Sequence, residues 1–249
     1  MSEPVLQVEG LSKSFGALKA TDAVSLDLRP GEVHALIGPN GAGKTTLIGQ
    51  IAGGIPPDAG RILLAGEDIT RLSVAARAKR GLGRTFQISS LGMDLTARRN
   101  VMIAAQGLQG SSFRFWRAVR ADNALTTAAD EALAAAGLPE RAEIPVAELS
   151  HGERRQVELA CALALKPRVL LLDEPMAGLG AEGTQAMTVF LDRLRAQVPI
   201  LLIEHDMDAV FQLADRISVL VYGQIIASGT VEEIRANAQV RDAYLGEPA

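Results

Sequence analysis

The sequence predicts an α/β fold in which helices cover a mainly parallel sheet. Short apolar segments typical of buried strands alternate with segments of helical periodicity, and this alternation favours parallel strands. Two segments near the N-terminus alternate apolar and polar residues, which predicts an antiparallel β part before the parallel sheet. Residues 88–149 are rich in alanine and arginine at helical spacing, so they predict a helical insertion.

The N-terminal half can be divided into elements from its pattern. The alternating strand residues come first, at Val5, Leu6, Val8, Val24, Leu26 and Leu28. A buried strand over Val33–Ile37 leads through a glycine-rich turn into a helix over Lys44–Ala52, which glycines and prolines end. A hairpin is predicted over residues 60–69. In the insertion, a helix is predicted over residues 122–136, and residues 107–112 are the best candidate for a flexible loop.

The C-terminal half repeats the strand and helix pattern. Strands are predicted over residues 169–172, Ile200–Ile203, 217–222 and 225–227. Helices are predicted over residues 152–165, 187–194 and 207–214. A last helix begins where Thr230 and Glu233 have capping-box spacing.

Composition limits the class of protein. The chain has 249 residues, 48% of them hydrophobic, which is enough for a substantial core in one large or two small domains. With 25 basic and 29 acidic residues the net charge is −4, so no nucleic-acid partner is expected. A single cysteine, Cys161, rules out a disulfide within the chain and favours a reducing compartment. The N-terminal residues lack a secretion-signal pattern, and the apolar runs are too short to span a membrane.

A glycine-rich segment after the Val33–Ile37 strand predicts a phosphate-binding loop. It fits the pattern G-x-x-x-x-G-K-[ST] and consists of Gly38, Pro39, Asn40, Gly41, Ala42, Gly43, Lys44 and Thr45, followed by Thr46. Glycines let backbone amides approach phosphates closely, and the helix N-terminus adds partial positive charge. Lys44 supplies a cation for the β- and γ-phosphates, and Thr45 offers a hydroxyl to Mg²⁺. The chain is therefore expected to bind a nucleoside triphosphate.

Two later strands end in ionisable residues. Asp173 and Glu174 follow an apolar strand, and ligands of open α/β sheets bind at the carboxyl ends of strands. Asp173 is expected to hold Mg²⁺, and Glu174 is the candidate to orient or deprotonate the attacking water. His205 follows the Ile200–Ile203 strand and would lie beside both carboxylates if the two strands are neighbours. It could then bond the γ-phosphate. The alternative is that the two carboxylates are charges at a strand end that cap the next helix.

A third segment, residues 149–153, begins a helix just before the Asp173 strand. Ser150 and Glu153 have capping-box spacing, which is the structural interpretation. In the functional interpretation, the Ser150 hydroxyl and the small Gly152 at a helix N-terminus grip phosphate oxygens.

Taken together, these motifs resemble the ATP-binding-cassette ATPases over essentially the whole chain. Residues 38–46 are similar to the Walker A loop, and residues 149–153 are similar to the Leu-Ser-Gly-Gly-Gln signature. Asp173 and Glu174 resemble the Walker B pair, and His205 resembles the switch histidine. The resemblance adds two residues: Gln87 of the glutamine loop, which contacts nucleotide and metal, and Phe15, which stacks on adenine.

The resemblance also implies an organisation. It implies a P-loop NTPase-type domain over residues 1–249, with a core of residues 1–87 and 154–249 and a helical subdomain of about residues 88–153. ATP with Mg²⁺ would lie between the Walker A loop of one domain and the signature of a second ATPase subunit, in a homo- or heterodimer. Transmembrane permease subunits, reached through Gln87, and indirectly a solute-binding protein would be the other partners. The chain would sit peripherally on the cytoplasmic face of the inner membrane.

Two departures from the family pattern put details in doubt. His151 and Glu153 replace a glycine and the glutamine of the signature, and the Glu153 carboxylate would repel phosphates. Gly180 ends a loop that usually closes with aspartate, so its contact across the dimer is in doubt.

A narrower resemblance is to the ATP-binding subunits of branched-chain amino-acid importers. It rests on residues 83–87, 177–179, 202–207 and 243–246. The alternatives are a urea or amide importer, a soluble ABC ATPase of translation or DNA repair, a non-catalytic nucleotide-binding regulator, and an exporter or lipid-transporter subunit. The segment of residues 113–117, which contains aromatic residues and arginines, either faces a membrane-embedded partner or packs within the protein with a solvated edge. The transported solute cannot be inferred from the sequence.

Overall fold

The computed structural model describes residues 3–85, 91–107 and 123–242. Ten strands are found in these ranges: β1 (Leu6–Phe15), β2 (Leu18–Leu28), β3 (Val33–Ile37), β4 (Ala59–Leu64), β5 (Glu67–Asp68), β6 (Leu82–Arg84), β7 (Val169–Asp173), β8 (Ile200–Ile203), β9 (Arg216–Val221) and β10 (Gln224–Gly229). They form two sheets. The first has the order β2-β1-β4-β5 and is antiparallel, as predicted for the N-terminal β part.

The second sheet has the order β10-β9-β3-β8-β7-β6. Its strands pair in parallel from β9 through β6, and only the β9–β10 pair is antiparallel. Every residue of β3, β7 and β8 is buried, which explains why these strands are continuous apolar runs. The predicted mainly parallel sheet is therefore confirmed.

The helices of the described ranges are α1 (Lys44–Ala52), α2 (Val74–Lys79), α3 (Ala97–Gln106), α4 (Asn123–Ala135), α5 (His151–Leu163), α6 (Ala181–Leu194), α7 (Met207–Leu213), α8 (Val231–Ala236) and α9 (Ala238–Val240). Short 3₁₀ turns lie at Pro139–Arg141 and Val146–Glu148. The predicted bounds of α1 and β8 are confirmed, and so is the capping box at the start of α8. The sequence did not predict α2 or β6, which are too short to show a period.

Helices α3, α4 and α5 surround an apolar cluster of their own. Val101, Leu133 and Val157 are fully buried in it. Helix α5 also sends Leu159 and Ala162 into a second cluster against the sheet. The division into a core and a helical subdomain stays a prediction, because α5 contributes side chains to both clusters.

The buried side chain of Arg77 anchors the C-terminus of α1. Its Nη1 donates to the carbonyl oxygens of Gln50 and Ile51, both at 2.6 Å. Its Nε and Nη2 donate to the carbonyls of Leu72 and Thr70 at 3.0 and 2.7 Å. The last carbonyls of a helix lack partners within the helix, so one guanidinium satisfies the end of α1 and joins it to the neighbouring loop. This contact fixes the helix that follows the glycine-rich loop.

Within residues 3–85, 91–107 and 123–242, no helix has the length and apolar character needed to cross a membrane.

Candidate nucleotide site

The carboxyl ends of three adjacent strands meet at one edge of the parallel sheet. Strand β8 lies between β3 and β7, and Ile203 near its end is level with both Leu36 and Asp173. The glycine-rich loop, the Asp173–Glu174 pair and His205 therefore leave the same edge. The condition set for His205, that its strand neighbours the Asp173 strand, is met.

Glycine is required at two positions of the loop after β3. Gly38 and Gly43 have φ values of +154° and +108°, which side chains rarely adopt. A Cβ at Gly38 would collide with the carbonyl oxygen of Leu220, and one at Gly43 with that of Ala20. The loop therefore packs against strands β9 and β2. This packing fixes the backbone conformation that would surround a phosphate.

The Lys44 ammonium folds back over its own loop. Its Nζ donates to the carbonyl oxygens of Gly38 at 2.6 Å and Pro39 at 3.0 Å. Burial lowers the pKa of Lys44, and the charges of Glu174 and Asp173 oppose that lowering. The lysine is therefore near both carboxylates while it is bonded to carbonyls that a phosphate would replace. Thr45 is exposed at the start of α1, and Thr46 is half-buried.

Asp173 is a buried carboxylate in contact with a cation. Its Oδ2 lies 3.4 Å from Nη2 of Arg84, the last residue of β6. Burial raises the pKa of Asp173, the Arg84 guanidinium acts in the opposite direction, and the Glu174 charge raises it further. Sequence reasoning assigned no role to Arg84. Its contact depends on the pairing of β6 with β7, which no local pattern revealed.

Glu174 has an unusual backbone conformation. Its φ is +51°, in the left-handed region that costs a residue with a side chain about 1 kcal/mol or more. Its amide donates to the carbonyl of Ile203 at 2.9 Å, so the residue is still tied to β8. The chain then turns sharply away from the sheet. Glu174 and Asp173 have different surroundings, since Asp173 is buried and Glu174 is half-buried.

Glu204 is a buried carboxylate that the sequence analysis left without a role. Its Oε1 accepts a hydrogen bond from the Met176 amide at 2.8 Å, and its Oε2 accepts one from the His205 amide at 3.0 Å. It therefore joins the turn after β7 to the turn after β8. The signal was available, because a carboxylate directly after an apolar strand needs partners. The His205 side chain is 65% exposed, and its Nδ1 lies 3.6 Å from Glu204 Oε2.

The start of α5 has the predicted capping box. Ser150 Oγ accepts from the Glu153 amide at 3.3 Å, and Glu153 Oε2 accepts from the Ser150 amide at 2.8 Å. Glu153 Oε1 also accepts from Arg141 Nε at 2.8 Å. The Ser150 amide holds the pKa of Glu153 below its ordinary value, and Arg141 adds to this effect. The negative charge that the sequence analysis expected to repel phosphates is thus already offset within the chain.

The loop of residues 177–180 lies against the start of α5. A Cβ on Gly152 would come within 3.7 Å of Leu179, and one on Gly178 within 3.9 Å of His151. Gly180 is the N-cap of α6 and provides no side-chain hydrogen bond there. An aspartate at this position could cap the helix. Gly180 in place of aspartate therefore removes the helix cap in addition to the contact expected across the dimer.

The remaining predicted site residues fall into two groups. Phe15 ends β1 with its side chain 51% exposed, and the Lys13 ammonium lies 5.5 Å from the ring centroid. Its ring is accessible to a planar ligand. Gln87, the aromatic residues 113–117 and residues 243–246 lie outside the described residues.

The residues present fit a magnesium ion that is brought by a nucleotide. In the described ranges there is no group of three or more His, Cys, Asp or Glu side chains that could hold a metal. Mg²⁺ suits such a site, because it takes one or two protein oxygens and completes its shell with phosphates and waters. Asp173 provides a buried carboxylate, and Thr45 provides a hydroxyl at the loop.

Comparison with known proteins assigns this arrangement to a class. The family model described as ABC transporter matches residues 21–177, and the chain belongs to this family of ATP-binding cassettes. A second model, described as branched-chain amino acid ATP-binding cassette transporter, matches residues 224–249.

Individual relatives agree with this assignment. The chain is 39% identical to the high-affinity branched-chain amino acid transport ATP-binding protein LivG of Escherichia coli, over 99% of this chain and 100% of that protein. It is 38% identical, with the same coverage, to BraF of Pseudomonas aeruginosa, which carries the same description. Among solved structures, the ADP conformation of MJ1267, an ATP-binding cassette of an ABC transporter, is 30% identical with a TM-score of 0.89, covering 99% and 100% of the two chains.

Proposed function

We propose that this chain is the ATP-hydrolysing subunit of an importer for branched-chain amino acids or a similar small solute. The solute class rests on the similarity to LivG and BraF over their full lengths and on the match at residues 224–249. The observation that carries the hydrolytic part is the Asp173–Glu174 pair at the strand edge beside the glycine-rich loop. The loop that contains Lys44 leaves the same sheet edge as this pair, which supports a shared site.

ATP binding would use the residues already described. The backbone amides of residues 38–46 would surround the phosphates at the N-terminus of α1. The Lys44 ammonium would leave the carbonyls of Gly38 and Pro39 for the β- and γ-phosphates, and Phe15 would stack on adenine. Thr45, Asp173 and Gln87 would hold Mg²⁺, which when bound neutralises charge on the β- and γ-phosphate oxygens.

Hydrolysis would follow from the placement of Glu174. Its carboxylate would accept a proton from a water whose oxygen attacks the γ-phosphorus, while the bond to the β-phosphate oxygen breaks and ADP leaves. His205 would donate a hydrogen bond to the γ-phosphate from its exposed imidazole. Because Glu204 fixes the His205 backbone and the turn after Glu174 together, both side chains would be positioned by one buried group.

The assembly is part of the same proposal. The start of α5, with Ser150, Gly152 and Glu153, would complete the site of a second ATPase subunit of the same or a different kind. Residues 1–87 and 154–249 would form the core domain, and residues 88–153 the helical subdomain. Gln87 would contact transmembrane permease subunits served by a solute-binding protein, and the chain would then lie peripherally on the cytoplasmic face of the inner membrane.

Uptake measurements test this proposal. In a strain that lacks the gene, uptake of radiolabelled leucine should fall and should return with the wild-type chain but not with Glu174→Gln. Membrane subunits should copurify with a tagged chain. Normal leucine, isoleucine and valine uptake without the gene, together with copurification of ribosomes, would contradict the proposal and favour a soluble ABC ATPase.

A further inference from the structure

The nucleotide site contains a cation that the proposed chemistry does not use. Arg84 Nη2 lies 3.4 Å from Asp173 Oδ2, and the Asp173 side chain is only 2% exposed. Lys44, the cation expected at the phosphates, instead donates to the carbonyls of Gly38 and Pro39. The carboxylate proposed as a metal ligand is thus paired with an arginine of the same chain.

We infer that Arg84 is a positioning residue that competes with Mg²⁺ for the Asp173 carboxylate, and that it must withdraw when the ion binds there. This inference rests on the proposed function, in which Asp173 holds the metal. A divalent ion on that carboxylate would stand close to the guanidinium, and in a buried site two cations repel each other strongly. Binding of the metal therefore includes the cost of breaking the Arg84–Asp173 pair.

A second carboxylate, that of Glu158, could accept the displaced guanidinium. Arg84 and Glu158 line the same groove, a cavity of about 460 Å³ between the end of β6, α3 and α5. Glu158 is largely buried and pairs with Arg155 at 2.8 Å, one turn along α5. A guanidinium that left Asp173 would meet this carboxylate, so the metal would alter contacts of the helix that begins at Ser150. Arg84 would then link the metal site to α5.

The inference predicts how metal changes nucleotide affinity. The quantity to measure is the magnesium gain, defined as the Kd for ADP in EDTA divided by the Kd for ADP in Mg²⁺, by titration calorimetry. ADP is suitable because it is not hydrolysed. Arg84→Gln should raise the magnesium gain about three- to tenfold, the range expected when a weak ion pair no longer competes. Arg84→Lys, which keeps the charge on a shorter reach, should fall between Arg84→Gln and the wild type.

Matched variants separate this competition from a general change of charge. Arg154→Gln removes a cation of α5 whose guanidinium donates to the carbonyls of Val146 and Ala147, and it should leave the magnesium gain within about twofold of wild type. In an Asp173→Asn background, Arg84→Gln should have no further effect, because the shared carboxylate is gone. Each variant is first checked for a cooperative unfolding transition.

An unchanged or smaller magnesium gain in Arg84→Gln would overturn the inference. So would an equal rise in Arg154→Gln, or a rise that persists with Asp173→Asn. These results leave the proposed function standing, since the wild type would still bind ADP more tightly with Mg²⁺. If the wild type bound ADP in neither condition, the proposed function itself would fail.

Discussion

The buried carboxylate of Glu204 accepts a hydrogen bond from the backbone amide of Met176, two residues after Glu174. Its second oxygen accepts from the His205 amide, so one side chain holds the turn that follows Glu174, the proposed base, and the turn that carries His205, the proposed γ-phosphate ligand. A carboxylate has an acceptor for each of these amides. A carboxamide has only one, and its NH₂ group would face the other N–H.

Glu204→Gln is therefore expected to separate turnover from binding. It should lower stability by about 1–3 kcal/mol, because one buried amide loses its partner. It should lower kcat for ATP about ten- to a hundredfold by moving Glu174 and His205, while the Kd for ADP stays near that of the wild type. Glu182→Gln, at an exposed acidic residue in the first turn of α6, is the control. A normal kcat in Glu204→Gln would show that the two turns do not depend on this carboxylate.

The guanidinium of Arg77 should be essential for stability. Arg77→Met removes the donor for four backbone carbonyls, two of them in the last turn of α1, and should cost about 3 kcal/mol or more in the free energy of unfolding. Arg80→Met, whose ion pair with Glu67 is exposed, should cost less than about 1 kcal/mol. Urea unfolding measures both. Equal losses in the two variants would contradict the role of Arg77 at the end of α1.

His34 should make stability depend on pH. Its Nδ1 donates to the Asp27 carbonyl at 2.8 Å, and its Nε2 lies 2.8 Å from Ser218 Oγ. Burial, with Arg216 nearby, lowers the pKa of His34 from 6.5 to about 4, so the folded state keeps the ring neutral. Below pH 6.5 the unfolded state takes up the proton and the folded state does not. The stability from the neutral ring is present above pH 6.5 and is lost as the pH falls towards 4.

Between pH 7 and 5 this loss should amount to about 2 kcal/mol, measured by urea unfolding at each pH. His34→Gln should be less stable at pH 7 but should lack this part of the pH dependence. The idea fails if the variant and the wild type lose the same stability over this interval.

The departure at Glu153 should matter less for activity than the sequence suggests. Glu153→Gln keeps an oxygen for the capping box. The negative charge that it removes is already offset by Arg141 and the Ser150 amide. The KM for ATP should therefore change less than about twofold in the assembled complex. Arg141→Gln, which removes the ion pair of the Glu153 carboxylate, should raise the KM for ATP about two- to threefold. The double variant should return to the wild-type value. A large fall in KM for Glu153→Gln alone would instead show that its charge repels ATP.

The parts of the fold that follow from local pattern could be predicted from the sequence. Helix α1 and strand β8 have the predicted bounds, because a glycine-rich turn, Gly53 and an unbroken apolar run mark them clearly. Strand β6 was missed since its three residues include Gly83, and the contact of Arg84 with Asp173 was missed with it. That contact joins residues 84 and 173, and only the sheet brings them together.

The candidate site divides in the same way. Asp173 and Glu174 could be recognised because they follow an apolar strand. His205 could be recognised because it also follows an apolar strand that ends in ionisable residues. The role of Glu204 depends on where the Met176 amide points, which is set by the left-handed backbone at Glu174. A short sequence pattern contains no signal for such a turn in a residue other than glycine or asparagine.

The central claim is that Glu174 activates the water that cleaves ATP. The most direct measurement compares Glu174→Gln with the wild type in the complex with its membrane subunits, recording ATP binding and phosphate release in the same preparation. Binding should remain within about threefold, because the glycine-rich loop is unchanged, while the rate of phosphate release should fall about a hundredfold or more. Phosphate release at the wild-type rate would contradict the assignment of Glu174 and, with it, the proposed mechanism.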